Sequence, residues 1–183
     1  MVTHPKARFL AEDIFDSPDD GNRYEVIDGE LYVSPPPNRE HQHASGQLQG
    51  TIWSYLQTNP IGTFYAAPFG VILPGLSGVQ PDLVFVSNER EEILTDQGAS
   101  GAPDMVVEIL SPRTRSRDRG IKLRQYEAAG VRYYWIADPR TQALEERELG
   151  EDGYGPPTIY RVGDVFRPAV FPGLTIEVAR LWP

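Results

Sequence analysis

The chain of 183 residues has no cysteine and only three histidines. Without cysteine there are no disulfides and no thiolate metal sites, which fits a reducing cytoplasm. His41 and His43 stand two residues apart in EHQHAS, so on a helix they diverge. Helical zinc pairs use a four-residue spacing, and a zinc centre is not expected. No apolar stretch approaches a membrane span, and Met1 to Leu10 lacks the apolar core of a signal peptide. The expectation is a cytoplasmic protein with no membrane association. A glycine-rich phosphate loop is also missing, because GASGAPD (98–104) precedes a strand where such a loop would follow one. No serine–histidine–acid order stands out. Positive charge is scarce: 17 Lys and Arg face 26 Asp and Glu, a net charge of -9. Such a chain repels nucleic acid at long range, which counts against a dedicated nucleic-acid binder. It does not count against a nuclease, whose clustered carboxylates are offset by a metal ion.

What is present reads as one globular domain, 1–183, long enough for a sizeable core. Residues 6–16 have the pattern of a short amphipathic helix. RYEVI and ELYVS flank Asp28-Gly29, a pair that favours a two-residue type I′ turn and hence a hairpin. Leu48, Ile52, Tyr55 and Leu56 recur at helical spacing between about 40 and 57. Short strands follow at 63–67 and 69–73, then a turn-rich loop, PGLSG (74–78). Residues 81–86 and 104–110 are buried-type strands, with a short helix near 89–94 between them. A helix runs from about 114 to Gly130, and VRYYWIA (131–137) is another strand. Further strands are expected at 142–148, 158–162, 164–166 and 174–178. The order indicates a mixed α/β domain, a central sheet with helices packed on it.

Glu108 is the residue that breaks this pattern. It sits inside Met105-Val106-Val107-Glu108-Ile109-Leu110, sharing one strand face with Asp104, Val106 and Leu110. A buried carboxylate without a partner is costly, so such a group is normally paired, metal-bound or neutralised. An arginine or backbone donors could satisfy it; a functional site is the favoured reading. Asp82 and Asp104 both follow a proline. Asp104 lies about 13 Å along the strand from Glu108, too far to share an ion. Asp82 comes from another strand and is preferred, leaving Asp104 a turn or edge role. On a wheel of about 100° per residue, Lys122 falls in the apolar arc of Ile121, Tyr126, Ala128 and Ala129, together with Asp118 and Gln125. Arg117, Arg119, Arg124 and Glu127 fall outside it. Lys122 either pairs with Asp118 at i, i+4 or points at the carboxylates, and both can hold. Glu25 in RYEVI either completes the acidic shell or faces solvent. His41 is a substrate contact from the helix start. Six basic residues crowd into 113–124, with Arg113 and Arg115 at its start. They form a solvated helix face or a phosphate-contacting patch.

Carboxylate oxygens with waters suit magnesium or manganese, which activate water and neutralise charge on a phosphodiester. A lysine adds fixed positive charge beside the attacked phosphate.

The order YEVIDGELYVSPPP…HQ…PDLVFV…GAPDMVVEILSP…D…K…Y…AGVRYYWIADP resembles the Uma-type family of restriction endonucleases, of the PD-(D/E)XK nuclease superfamily. The resemblance runs from about Tyr24 to Pro139, with a weaker echo in FPGLTIEV. It implies a restriction endonuclease-like core over 23–139, a mixed central sheet flanked by helices, with the N-terminal hairpin and additional C-terminal strands. It implies metal-dependent hydrolysis of DNA, with Asp82 and Glu108 as the motif acids and Glu25 as the early acid. Leu110 stands where the superfamily carries its lysine, and the resemblance assigns that role to Lys122 on the next helix. The backbone carbonyl of Ile109 is then a further metal ligand. Two other readings stand beside a DNA endonuclease. One is a nuclease acting on RNA. The other is a non-catalytic interaction protein that keeps the fold, for instance as a homodimer.

Overall fold

The computed structural model describes residues 8–183. Strands β1 (Arg23–Ile27) and β2 (Glu30–Ser34) form the expected hairpin, with Asp28 at φ 52° and Gly29 at φ 76°. Positive φ at both turn residues is what a type I′ turn requires. Helix α1 (Arg39–Thr58) is capped by Asn38, whose side chain accepts the His41 N–H at 2.9 Å. Ala44, Leu48, Ile52 and Leu56 recur every four residues and bury one stripe of it.

The remaining strands are β3 (Gly62–Ala66), β4 (Gly70–Leu73), β5 (Ser77–Val79), β6 (Leu83–Ser87), β7 (Leu94–Thr95), β8 (Gly98–Ser100), β9 (Met105–Ile109), β10 (Tyr133–Asp138), β11 (Ala143–Gly150), β12 (Gly153–Tyr154), β13 (Thr158–Arg161), β14 (Val165–Phe166) and β15 (Ile176–Glu177). They divide between two main sheets in place of the one central sheet expected. The first runs β2-β1-β5-β4-β8-β7. The second runs β12-β11-β10-β9-β6-β3, with β13 also on β11, and its β9–β10 pair is parallel. A small β14–β15 pair stands apart. One face of the second sheet packs on α1 and the C-terminal segment through Val107, Ile109, Trp135, Phe171 and Trp182. Its other face meets the first sheet through Val84, Val106, Leu110, Tyr134 and Ile136. Glu108 belongs to this second face, between Val106 and Leu110.

The helix expected at 114–129 is not uniform. Helix α2 (Arg115–Arg117) passes through a π-helical stretch (Asp118–Lys122) into α3 (Leu123–Ala129). A π stretch turns less per residue than a regular wheel allows, so the apolar arc drifts. Ala128, expected inside it, is exposed, while Lys122, Asp118 and Tyr126 are buried.

Two other expectations change. The helix of 6–16 is a 3₁₀ turn at Ala11–Asp16; residues 6 and 7 lie outside the described residues. Ser77 and Gly78 belong to β5 and not to a loop. One contact explains both. A Cβ on Gly78 would lie 2.1 Å from the Ala11 carbonyl oxygen, so the 3₁₀ turn rests directly on the β5 backbone. Tertiary contact, not helical propensity, shapes this segment. Gly78→Ala must push the turn off the sheet. We expect a loss of about 1–3 kcal/mol, read as a Tm lowered by several degrees in thermal denaturation.

Candidate active site

The register of β6 and β9 pairs Leu83 with Val107. One step further, Asp82 is level with Glu108. Antiparallel neighbours in register present their side chains on the same face. Asp82 therefore enters the site from the start of β6, and Glu108 from β9. Glu25 enters from β1, in the other sheet. Lys122 arrives on the last turn of the π stretch, and all four residues are buried.

The Lys122 ammonium joins the acids. Nζ is 2.5 Å from Glu108 Oε1 and 2.7 Å from Glu25 Oε1. Asp118 Oδ1 is 3.9 Å from the same Nζ, so the i, i+4 pair and the carboxylate-directed lysine coexist. Tyr126, read from sequence as core, donates its hydroxyl to Glu108 Oε1 at 2.6 Å. Glu25 also accepts the Gln80 N–H at 3.1 Å and faces Arg117 at 3.4 Å. Asp82 is held from three sides. Arg23 donates to Oδ1 at 2.5 Å, and Ile109 N–H to Oδ2 at 2.6 Å. His41 Nε2 lies 3.1 Å from that second oxygen.

An open cleft of about 220 Å³ exposes this floor. Its lining includes Asp82, Glu108, Ile109, Asp118 and Lys122 below, with Pro35–Pro37, Arg113 and Thr114 at the sides. Arg115 is not among the lining residues. It makes a two-pronged pair with Asp138 at 2.7 and 2.6 Å, which commits it elsewhere. Asp104 accepts the Ser87 N–H at 2.8 Å and serves the strand end, as expected. Arg23, Arg117 and Tyr126 are the contacts that sequence reading missed. Arg23 looked like an ordinary first strand residue, and Arg117 fell outside the wheel's apolar arc. The signal for Tyr126 was its place one turn beyond Lys122 on the same face.

Four acids, Glu25, Asp82, Glu108 and Asp118, stand against three cations, Arg23, Arg117 and Lys122. Burial opposes ionisation of Asp82, but Arg23, His41 and the Ile109 amide outweigh it and hold the carboxyl well below its usual range. Burial likewise opposes ionisation of Glu25, and Lys122 and the two arginines again prevail. For Glu108 burial wins. Lys122 pulls the other way, but Asp118, Asp82 and Glu25 add repulsion and the carboxyl is pushed up to about 8. Asp118 moves upward as well, chiefly by burial. Burial and its acidic neighbours thus drive Glu108 toward the protonated form.

Do these residues fit a divalent ion? Their donor chemistry does. The groups are oxygen-only, the acids outnumber the cations, and the buried Asp118 Oδ1 has no hydrogen-bond partner. Among the described residues, no three acids or histidines gather closely enough to hold an ion by themselves.

The architecture is shared with a solved structure. A crystal structure of a protein from Anabaena variabilis ATCC 29413, described as "a putative nuclease belonging to DUF820", superimposes with a TM-score of 0.78. The match covers 94% of this chain and 97% of that one at 17% sequence identity, a likeness of fold. The family model Uma2, described as "Putative restriction endonuclease", matches residues 11–179. The chain belongs to the Uma2 family. No curated protein matches the sequence.

The retained proton makes a pH prediction. Between about pH 4.5 and 8 the folded state holds a proton on Glu108 that the unfolded chain releases. The stability contributed by this group is complete below about 4.5 and is lost as pH rises through 8. Chemical denaturation across that window should show the wild type losing stability relative to Glu108→Gln. Parallel pH profiles of the two proteins would refute the assignment.

Proposed function

We propose that the protein is a magnesium-dependent endonuclease, with manganese as an alternative ion, that hydrolyses phosphodiester bonds of DNA. The observation that carries this is the placement of Lys122. A buried ammonium on the floor of an open cleft touches Glu108 on that floor and Glu25 outside it, and Glu108 is level with Asp82 on the neighbouring strand. Membership of the Uma2 family supports the same reading.

Asp82 and Glu108 would hold the ion, with the Ile109 carbonyl beside them and Glu25 supporting from behind Lys122. The ion supplies an activated water and neutralises charge on the phosphate. The chain's own residues do the rest. Lys122 keeps a fixed positive charge near the attacked phosphate and orients the water. Its charge state is secure, because burial is outweighed by Glu108, Glu25 and Asp118 and its pKa rises. Arg23, His41 and the Ile109 amide fix the Asp82 carboxylate, so little reorganisation is needed. Arg113 at the cleft wall supplies charge for the substrate backbone.

A second reading, a non-catalytic interaction protein, draws on one observation. Both Asp82 oxygens and Glu108 Oε1 already have protein partners. A magnesium titration by calorimetry separates the two readings. The nuclease requires binding at millimolar ion that weakens in Glu108→Gln, whereas the interaction protein requires none.

Plasmid nicking tests the chemistry. Asp82→Asn and Lys122→Met, each checked for folding by circular dichroism, should lose at least about 10²-fold in rate. Nicking at the wild-type rate in either variant would refute the assignment. Parallel assays on RNA of the same sequence report which polymer is cut.

A further inference from the structure

The basic crowd at 113–124 is mostly spoken for. Arg115 pairs with Asp138, Arg119 with Glu145 and Asp138, and Arg117 with Glu25. Lys122 is buried among its acids. Arg113 and Arg124 are exposed and have no hydrogen-bond or ion-pair partner among the described residues. They do not point into solvent at random places. Both line one shallow depression with Ser116, Arg117, Gly120 and Tyr32. Arg113 and Arg117 also line the cleft, so the depression and the cleft are neighbours.

The composition of this surface is unusual for the chain. The protein carries a net charge of -9, yet the depression is lined by no acid and by three arginines, of which, among the described residues, Arg117 is paired with buried Glu25 and the other two are free. Its floor is low because Ser116 and Gly120 are small, and a Cβ on Gly120 would meet nothing within 4 Å. Arg117 lies 5.3 Å over the Tyr32 ring, which braces its guanidinium at the centre of the row. Arg113 lies in the turn before α2 and Arg124 in α3, at the two ends of this basic segment.

We infer that this face of the helix is the track for a nucleic-acid backbone leaving the cleft, with Arg113 and Arg124 each neutralising a phosphate. The inference rests on the nuclease reading and adds where the substrate strand runs. Long-range repulsion by the acidic body makes such a local track necessary, because only a concentrated row of cations can offset it. The shallow shape and the arginine guanidinia suit phosphate oxygens, which they bind in two-pronged fashion.

Fluorescence anisotropy tests it with two probes, a 30-base-pair duplex and a 30-nucleotide single strand, in EDTA so that neither is cut. Kd is measured from 50 to 200 mM NaCl for wild type and for the Arg113→Gln/Arg124→Gln double variant. Arg161→Gln/Arg167→Gln, also at exposed arginines, is the control. The double variant should bind more weakly at 50 mM salt and flatten the log–log salt slope by about 1.4–1.8. Wild type should then lose about tenfold more affinity than the variant across this range, while the control follows wild type. If wild type binds and the slope is unchanged in the double variant, the track is wrong and the nuclease reading stands. A wild type that neither binds the probes nor nicks DNA overturns both. If sedimentation shows a dimer that the double variant abolishes, with unchanged nucleic-acid binding, the face belongs to a second copy and the inference is overturned.

Discussion

The contact on which the site depends is the Lys122 ammonium held between Glu25 and Glu108. Glu25 belongs to the first sheet, Glu108 to the second, and Lys122 to the helix that packs beside both. One buried cation thus joins a strand of each sheet to the helical segment that follows the second. As a source of stability this is a poor device. Each buried ion costs several kcal/mol in lost hydration, and well-packed apolar replacements are often neutral or stabilising. The apolar contacts between the sheets, through Val84, Val106, Tyr134 and Ile136, supply cohesion without it. A charged cluster kept at such cost, on the floor of an open cleft, is better explained by chemistry than by folding.

The geometry of the cluster follows from local choices. The β6–β9 register sets Asp82 level with Glu108, and a one-residue slip would turn Asp82 to the opposite face. The π stretch sets the helix's approach. It brings Asp118 and Lys122 to the cleft side together, with Tyr126 one turn on. Among the described residues, the buried side-chain polar atoms without a hydrogen-bond partner are the Trp182 indole nitrogen and four in this neighbourhood: Glu25 Oε2, His41 Nδ1, Arg117 Nε and Asp118 Oδ1. Unsatisfied groups are costly in an interior and mark where a protein expects water or ligand.

Much of this was legible in the sequence. Glu108 announced itself as a charge in an apolar strand, and strand spacing alone separated Asp82 from Asp104. The hairpin was readable because Asp28-Gly29 has a defined turn chemistry. Lys122 was readable as a cation on an apolar face. What escaped were properties of tertiary packing. No local pattern shows that Arg23 reaches Asp82 across 59 residues, or that a regular wheel fails through a π stretch. The short strands β5, β7 and β8 are built from Ser, Gly and Thr that read as loop, and only pairing with neighbours makes them sheet. The division into two sheets was invisible for the same reason.

The most direct measurement replaces the three central ionisable groups by neutral side chains at once, as Glu25→Gln/Glu108→Gln/Lys122→Met, and follows both unfolding and DNA cleavage. The expected result is a folded protein with a melting temperature at or above that of the wild type and no nicking activity. A neutral protein that still cleaves at the wild-type rate, or one that no longer folds, would contradict the claim that these charges are kept for chemistry.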